Sequence, residues 1–141
     1  MTTDLADEIP LTICWRDLTS GEAAIEWEAL ATWVEWLRHH YNLPLSEVPL
    51  CWYQHWPLVE ELSALRTAWI TAFIPVSRAA GAALDWHYSF ELTRRRLTGW
   101  TENEAGGCNG GREHEPVDAA TPVDPQRLGA AIEADLDARA I

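Results

Sequence analysis

The chain has 141 residues, of which 22 are acidic and 10 basic, for a formal net charge of −12. That length supports one domain with a sizeable core. The sign of the charge is wrong for a phosphate-binding surface, so direct nucleic-acid binding is not expected. All basic residues are arginine, and 9 tryptophans supply large apolar surfaces whose indole N–H groups need partners.

Residues 1–9 read as a frayed acidic terminus. They lack the basic and apolar regions of a secretory signal, and the apolar run around Ala68 to Val76 is too short to span a bilayer and is interrupted by Pro75. A soluble, cytoplasmic protein without membrane contact is expected. Cys14, Cys51 and Cys108 are odd in number and widely spaced, unlike a secreted disulfide framework. Pro10 to Arg16 is β-prone but has no partner strand. It is expected to lie as an extended arm that lays Ile13 and Trp15 on the helices, with Cys14 buried as a small hydrophobe.

Thr19-Ser-Gly-Glu22 has the spacing of a capping box. It predicts a helix to about Tyr41 with Trp27, Leu30, Ala31, Val34, Leu37 and Tyr41 on one apolar stripe. Trp33 and Trp36 widen that stripe and are candidate contact residues, and the width of the arc makes self-association an expectation. His39 and His40 fall in the last turn, where positive charge suits the helix dipole. Asn42-Leu-Pro44 ends the helix.

Cys51 to Trp56 reads as a helical turn. Pro57 suits the first position of the next helix, whose stripe is Leu58, Leu62, Leu65, Trp69 and Ala72, and Pro75 terminates it. Residues 75–84 are weakly patterned and read as a loop. Asp85 is a natural N-cap for a third helix from Trp86 to about Trp100, with Trp86, Phe90, Thr93, Leu97 and Trp100 inward. Arg94-Arg95-Arg96 reads as a solvated face, with contact to an acidic partner as the alternative.

Glycines surround Cys108, and residues 116–124 form a Pro/Ala/Thr-rich linker. Asp124-Pro125 then opens a last amphipathic helix, 125–141, with Leu128, Ile132 and Leu136 on a narrow stripe that leaves docking open. The fold class is therefore all-α. Three main helices and the N-terminal arm make up residues 10–115, and a C-terminal helix follows on the linker.

The sharpest chemical pattern is Cys51-x3-His55 with Cys108-x5-His114. Residues four apart share a face of a helical turn, and a glycine-rich loop can wrap the second pair onto the same ion. Two thiolates and two imidazoles form a tetrahedral set suited to structural zinc. Neither pair has Cys-x2-Cys spacing, and the alternative makes Cys51 core and His55 a helix-start residue bonded to a carbonyl. Asp85-Trp-His87 juxtaposes an acid and an imidazole. The chain has no phosphate-binding glycine loop, Gly-x-Ser-x-Gly or His-Glu-x-x-His, so no catalytic residue is assigned.

Trp33-Val-Glu-Trp-Leu, Cys51-Trp-Tyr-Gln-His, Leu58-Val-Glu-Glu-Leu-Ser-Ala-Leu, Asp85-Trp-His, Gly107-Cys108 and Glu113-His114-Glu resemble a family of small uncharacterised proteins of high-GC Gram-positive bacteria. More loosely, they resemble a domain of unknown function with a Trp-Trp-x-x-Pro-Glu-Ala-like helix start. The resemblance covers about residues 15–115 and carries no established activity. It implies cargo of integrative, conjugative or plasmid-like elements, hence an accessory role, and a pattern that includes the Cys51, His55, Cys108 and His114 types. Trp56 stands where many members have a smaller residue.

The leading expectation is a non-enzymatic accessory or interaction protein with an unidentified protein partner. One alternative is a small metal- or Cys-dependent enzyme using His55, His87, Cys108 and His114. Another is an acidic inhibitor or decoy of a nucleic-acid-binding protein.

Overall fold

A computed structural model describes residues 12–73, 79–102 and 121–140. Among them are four α-helices and no strand: α1 (Ser20–His40), α2 (Trp56–Phe73), α3 (Ala82–Glu102) and α4 (Pro125–Arg139). Two short 3-10 turns, Trp15–Asp17 and Trp52–Gln54, precede α1 and α2. The all-α class expected from the sequence is the observed one.

α1 begins as its sequence dictates. The Thr19 side chain accepts from the Glu22 backbone N–H at 3.2 Å, and the Glu22 carboxylate accepts from the Thr19 N–H at 2.9 Å. The helix stops because Asn42 takes a left-handed backbone, φ 53°, which asparagine tolerates better than most residues. The Leu43 N–H then reaches back to the Arg38 carbonyl at 3.0 Å, and Leu43 is buried. At the start of α2 the His55 carbonyl accepts from Leu58 and Val59. Pro57, one place later than expected, falls where its missing N–H leaves no bond unmade.

α2 and α3 share the most extensive helix–helix contact, and α1 packs on α2. Leu30, Val34 and Leu37 of α1 meet Leu58, Leu62 and Leu65 of α2 and Trp86, Phe90 and Leu97 of α3 in one buried cluster. Tyr41 bridges α1 to α3, its ring centroid 4.9 Å from that of Phe90 and 5.8 Å from that of Trp86.

Three sequence expectations need correction. α3 starts at Ala82, inside the stretch read as a loop, so Asp85 lies in its first turn rather than at its N-cap. Alanine's helix propensity extends the helix past the better capping residue. Cys14 is exposed, and its Sγ donates to the Asp17 carboxylate at 3.3 Å, whereas its neighbour Trp15 is buried. Trp33, offered as an exposed contact residue, is buried. The three consecutive arginines lie on the solvated face the sequence suggests, and each meets a carboxylate there: Arg94 grips Glu47 through two bonds of 2.8 and 3.0 Å, Arg96 bonds Glu61 of α2, and Arg95 pairs with Glu91 on its own helix.

α4 docks. Leu128, Ala131, Ile132 and Leu136 pack against the core, and Ser20 Oγ donates to the Leu136 carbonyl at 3.2 Å. The Trp27 indole N–H donates to Asp135 at 2.7 Å, and Arg139 donates to the carbonyls of Trp15 and Leu18. Ahead of the helix, Val123 is buried and the Thr121 carbonyl accepts from the buried Arg38 guanidinium at 3.1 Å. The last part of the expected linker is therefore anchored.

Candidate interaction cleft and Cys–His pair

The floor and walls of the principal candidate site come from α1 and α2. Residues at helical spacing on α1 place Ile25, Glu28, Ala29, Thr32, Trp33 and Trp36 along one edge, and Arg66, Trp69 and Ile70 of α2 face them. Together they bound a cleft of about 710 Å³. Three indoles form its aromatic end. The Trp36 ring lies 5.3 Å from Trp69, Trp33 lies 6.1 Å from Trp69, and Trp33 lies 6.4 Å from Trp36. Trp33 is buried beneath the surface, while Trp36 and Ile25 are exposed. Trp36 is also held from behind by a stacked His40 ring at 4.9 Å and an edge-on Tyr41 ring at 6.1 Å. Such support keeps a half-exposed indole in one orientation, which suits a contact residue.

The lining carries two charged side chains of opposite sign, Glu28 of α1 and Arg66 of α2. Arg66 is already matched by Glu26 across the cleft at 3.9 Å, which leaves Glu28 as the exposed charge on the lining.

The Cys–His pattern is half visible. The 3-10 turn at Trp52–Gln54 brings Cys51 Sγ to 3.4 Å from His55 Nε2, so the two do share a face as their spacing requires. Cys108 and His114 lie outside the described residues. Among the described residues no group of three or more His, Cys, Asp or Glu side chains is set to hold a metal. A 3.4 Å separation suits a thiol–imidazole hydrogen bond. It also suits two neighbouring ligands of a tetrahedral zinc, which stand about 3.6 Å apart at usual Zn–S and Zn–N lengths. Nearby, burial, and then the neighbouring Cys51 sulfur, push the Tyr53 hydroxyl pKa above its ordinary value.

His87, named with His55 in the enzymatic alternative, belongs to another cluster. Its Nε2 lies 3.4 Å from the Tyr41 hydroxyl, and its ring meets Trp86 edge-on at 5.4 Å. Sequence reasoning missed two features that matter here. Arg38 sits at the end of an apolar helix face yet is buried and bonded to Glu35 and to the Thr121 carbonyl. Ile25 falls off the inner stripe, and its place at the cleft follows only once α2 is set beside α1. Its helical register with Trp33 and Trp36, which widen the apolar arc, was the available signal.

No helix among the described residues is long and apolar enough to cross a membrane. Comparison with protein-family models, with curated proteins and with solved structures finds no match.

Proposed function

We propose that the protein is a non-enzymatic interaction module whose α1–α2 cleft receives the apolar face of a basic amphipathic helix. The observation that carries this reading is the cleft itself: a braced, half-exposed Trp36 beside Trp69 and Ile25, with the exposed carboxylate of Glu28 on the same lining. Helix-in-groove recognition uses apolar anchors at one-turn spacing, and aromatic residues held in a pocket dominate such interfaces. A net charge of −12 selects basic partners and speeds their encounter. An accessory role on a mobile element accompanies this reading through the sequence resemblance, and a cytoplasmic setting through the absence of a signal-like start, with the partner a protein rather than a nucleic acid or a membrane.

Titrating intrinsic tryptophan fluorescence with two designed helical peptides tests this. The peptides share one leucine-rich face and differ in having arginines or glutamates on the other. The arginine peptide should bind, with an affinity that falls as salt rises and drops about tenfold or more in Trp36→Ala. Equal binding of both peptides, or none, removes the reading.

A structural zinc on Cys51, His55, Cys108 and His114 is a second reading, supported by the 3.4 Å approach of the first two. Protein purified without an affinity tag should then carry one equivalent of zinc and lose thermal stability to a chelator. Metal-free protein indifferent to chelator sinks it.

A further inference from the structure

The outer face of α3 poses a question that the cleft does not answer. Its inner face, Trp86, Phe90, Thr93, Leu97 and Thr101, is buried. On the opposite side Leu84, Tyr88 and Leu92 are 62 %, 64 % and 54 % exposed. Single exposed apolar residues are ordinary. These three follow one another at four-residue steps, so they form one ridge along the helix. That ridge holds half of the large hydrophobic residues exposed among the described ones, and a contiguous patch of this kind marks an interaction surface.

The charges of the same helix select the occupant. Asp85 and Glu91 are exposed in its first half; Arg95 and Arg96 are exposed in its second, ahead of an exposed Glu102 at its end. Within one copy Arg95 meets Glu91 and Arg96 meets Glu61 through solvent-exposed pairs that can re-form across an interface. An antiparallel second copy of α3 brings the acidic half of each helix to the basic half of the other. A parallel copy aligns like with like. Antiparallel pairing also opposes the two helix dipoles favourably. A two-fold axis beside residue 89 interleaves the ridges in the order Leu84, Leu92, Tyr88, Tyr88, Leu92, Leu84, alternating between copies. Each side chain then falls between two of its partner's, about 3 Å apart along the axis at the helical rise of 1.5 Å per residue.

We infer that the Leu84–Tyr88–Leu92 ridge of α3 is a self-association surface, which pairs with the same ridge of a second copy in antiparallel orientation. The surface is isologous, so association closes at the dimer. A contact made by one helix from each copy is small. It therefore belongs with weak, reversible interfaces below about 1,200 Å².

Sedimentation equilibrium of the full chain over a wide concentration range at low salt reads this directly. The protein should show a monomer–dimer equilibrium without higher species. Tyr88→Glu and Leu92→Glu should each leave only monomer, with an unchanged helical circular dichroism spectrum, since both positions face solvent in the monomer. Arg95→Glu should weaken the dimer several-fold by placing acid against acid, and combining it with Asp85→Arg and Glu91→Arg should restore it. A monomer at every concentration overturns the inference. So does a dimer untouched by Leu92→Glu. A dimer that Arg95→Glu strengthens overturns the antiparallel orientation. Peptide binding in the α1–α2 cleft is read separately and should survive Leu92→Glu.

Discussion

Replacing Arg139 with alanine should be among the most costly single changes outside the apolar core. Its guanidinium donates to Asp135 at 2.7 Å and to the carbonyls of Trp15 and Leu18, and it lies over the Trp56 ring at 6.0 Å. The Arg139 and Asp135 side chains are only 12 % and 17 % exposed, so water screens these contacts weakly. Each charge-assisted bond contributes about 1.5–3 kcal/mol net, while truncation releases about 2 kcal/mol of side-chain ordering. Asp135 keeps the Trp27 indole as a donor, which limits the damage to the carboxylate. Three such bonds less that ordering leave a net loss of about 2.5–7 kcal/mol, a large share of the roughly 5–15 kcal/mol typical of a domain. Urea denaturation measures it, and hydrogen exchange across α4 should accelerate in the variant. Arg139→Lys should recover only part, because an ammonium cannot reproduce the planar fork. A loss no larger than that of Arg127→Ala, an exposed arginine on the same helix, would show that α4 is not held by this contact.

Three further outcomes follow from the same structure. Gly129→Ala should stabilise by up to about 1 kcal/mol in urea denaturation, because a Cβ there meets nothing within 4 Å and the position is inside a helix; destabilisation would mean that α4 packs differently. Trp27→Phe removes the bond to Asp135 and leaves a carboxylate short of a donor, so a loss of about 1–3 kcal/mol is expected, measured the same way. The pH dependence separates two glutamates. The Thr19 backbone N–H, then its hydroxyl, hold the Glu22 pKa below its ordinary value. Its contribution is therefore present above the unfolded carboxylate pKa and is lost as pH falls through the folded one, so Glu22→Gln should lose stability at neutral pH and match the parent in acid. Burial raises the Glu60 pKa, which reverses the sign. Folding favours its protonated form, so Glu60→Gln should be neutral in acid and stabilising above the folded pKa. Parallel pH profiles for the two variants would refute both assignments.

Local structure is legible in the sequence, and surfaces are much less so. The capping box at Thr19, the stop at Asn42, the Asp124 cap and the inner stripes depend on residues close in the chain, where spacing is enough. Periodicity leaves the docking of α4 open because Leu128, Ile132 and Leu136 make a narrow stripe. What anchors the helix is polar: Ser20, Trp27 and the carbonyls of Trp15 and Leu18, more than a hundred residues away. Hydrophobic periodicity does not report such partners. Trp33 and Trp36 illustrate the same limit, since their spacing shows a wide apolar arc, but only the position of α2 buries one and leaves the other at the cleft. For the Cys–His pattern, spacing places Cys51 beside His55, and its second half lies beyond the described residues.

The Trp15–Arg139 contact has a consequence for how the chain reaches its native state. It joins residues 124 positions apart, so α1 and the arm before it emerge during synthesis long before the segment that covers them. Until α4 is made, the Trp27 indole and the Trp15 carbonyl lack their polar partners on it. The surface that later receives Ile132 and Leu136 is then uncovered, and exposed aromatic area invites wrong contacts at that stage. Loop closure over such a length costs little more than over half of it, so the penalty falls on timing rather than on final stability. A chain truncated before Asp135 should keep the α1–α2–α3 helices but aggregate more readily than the whole protein.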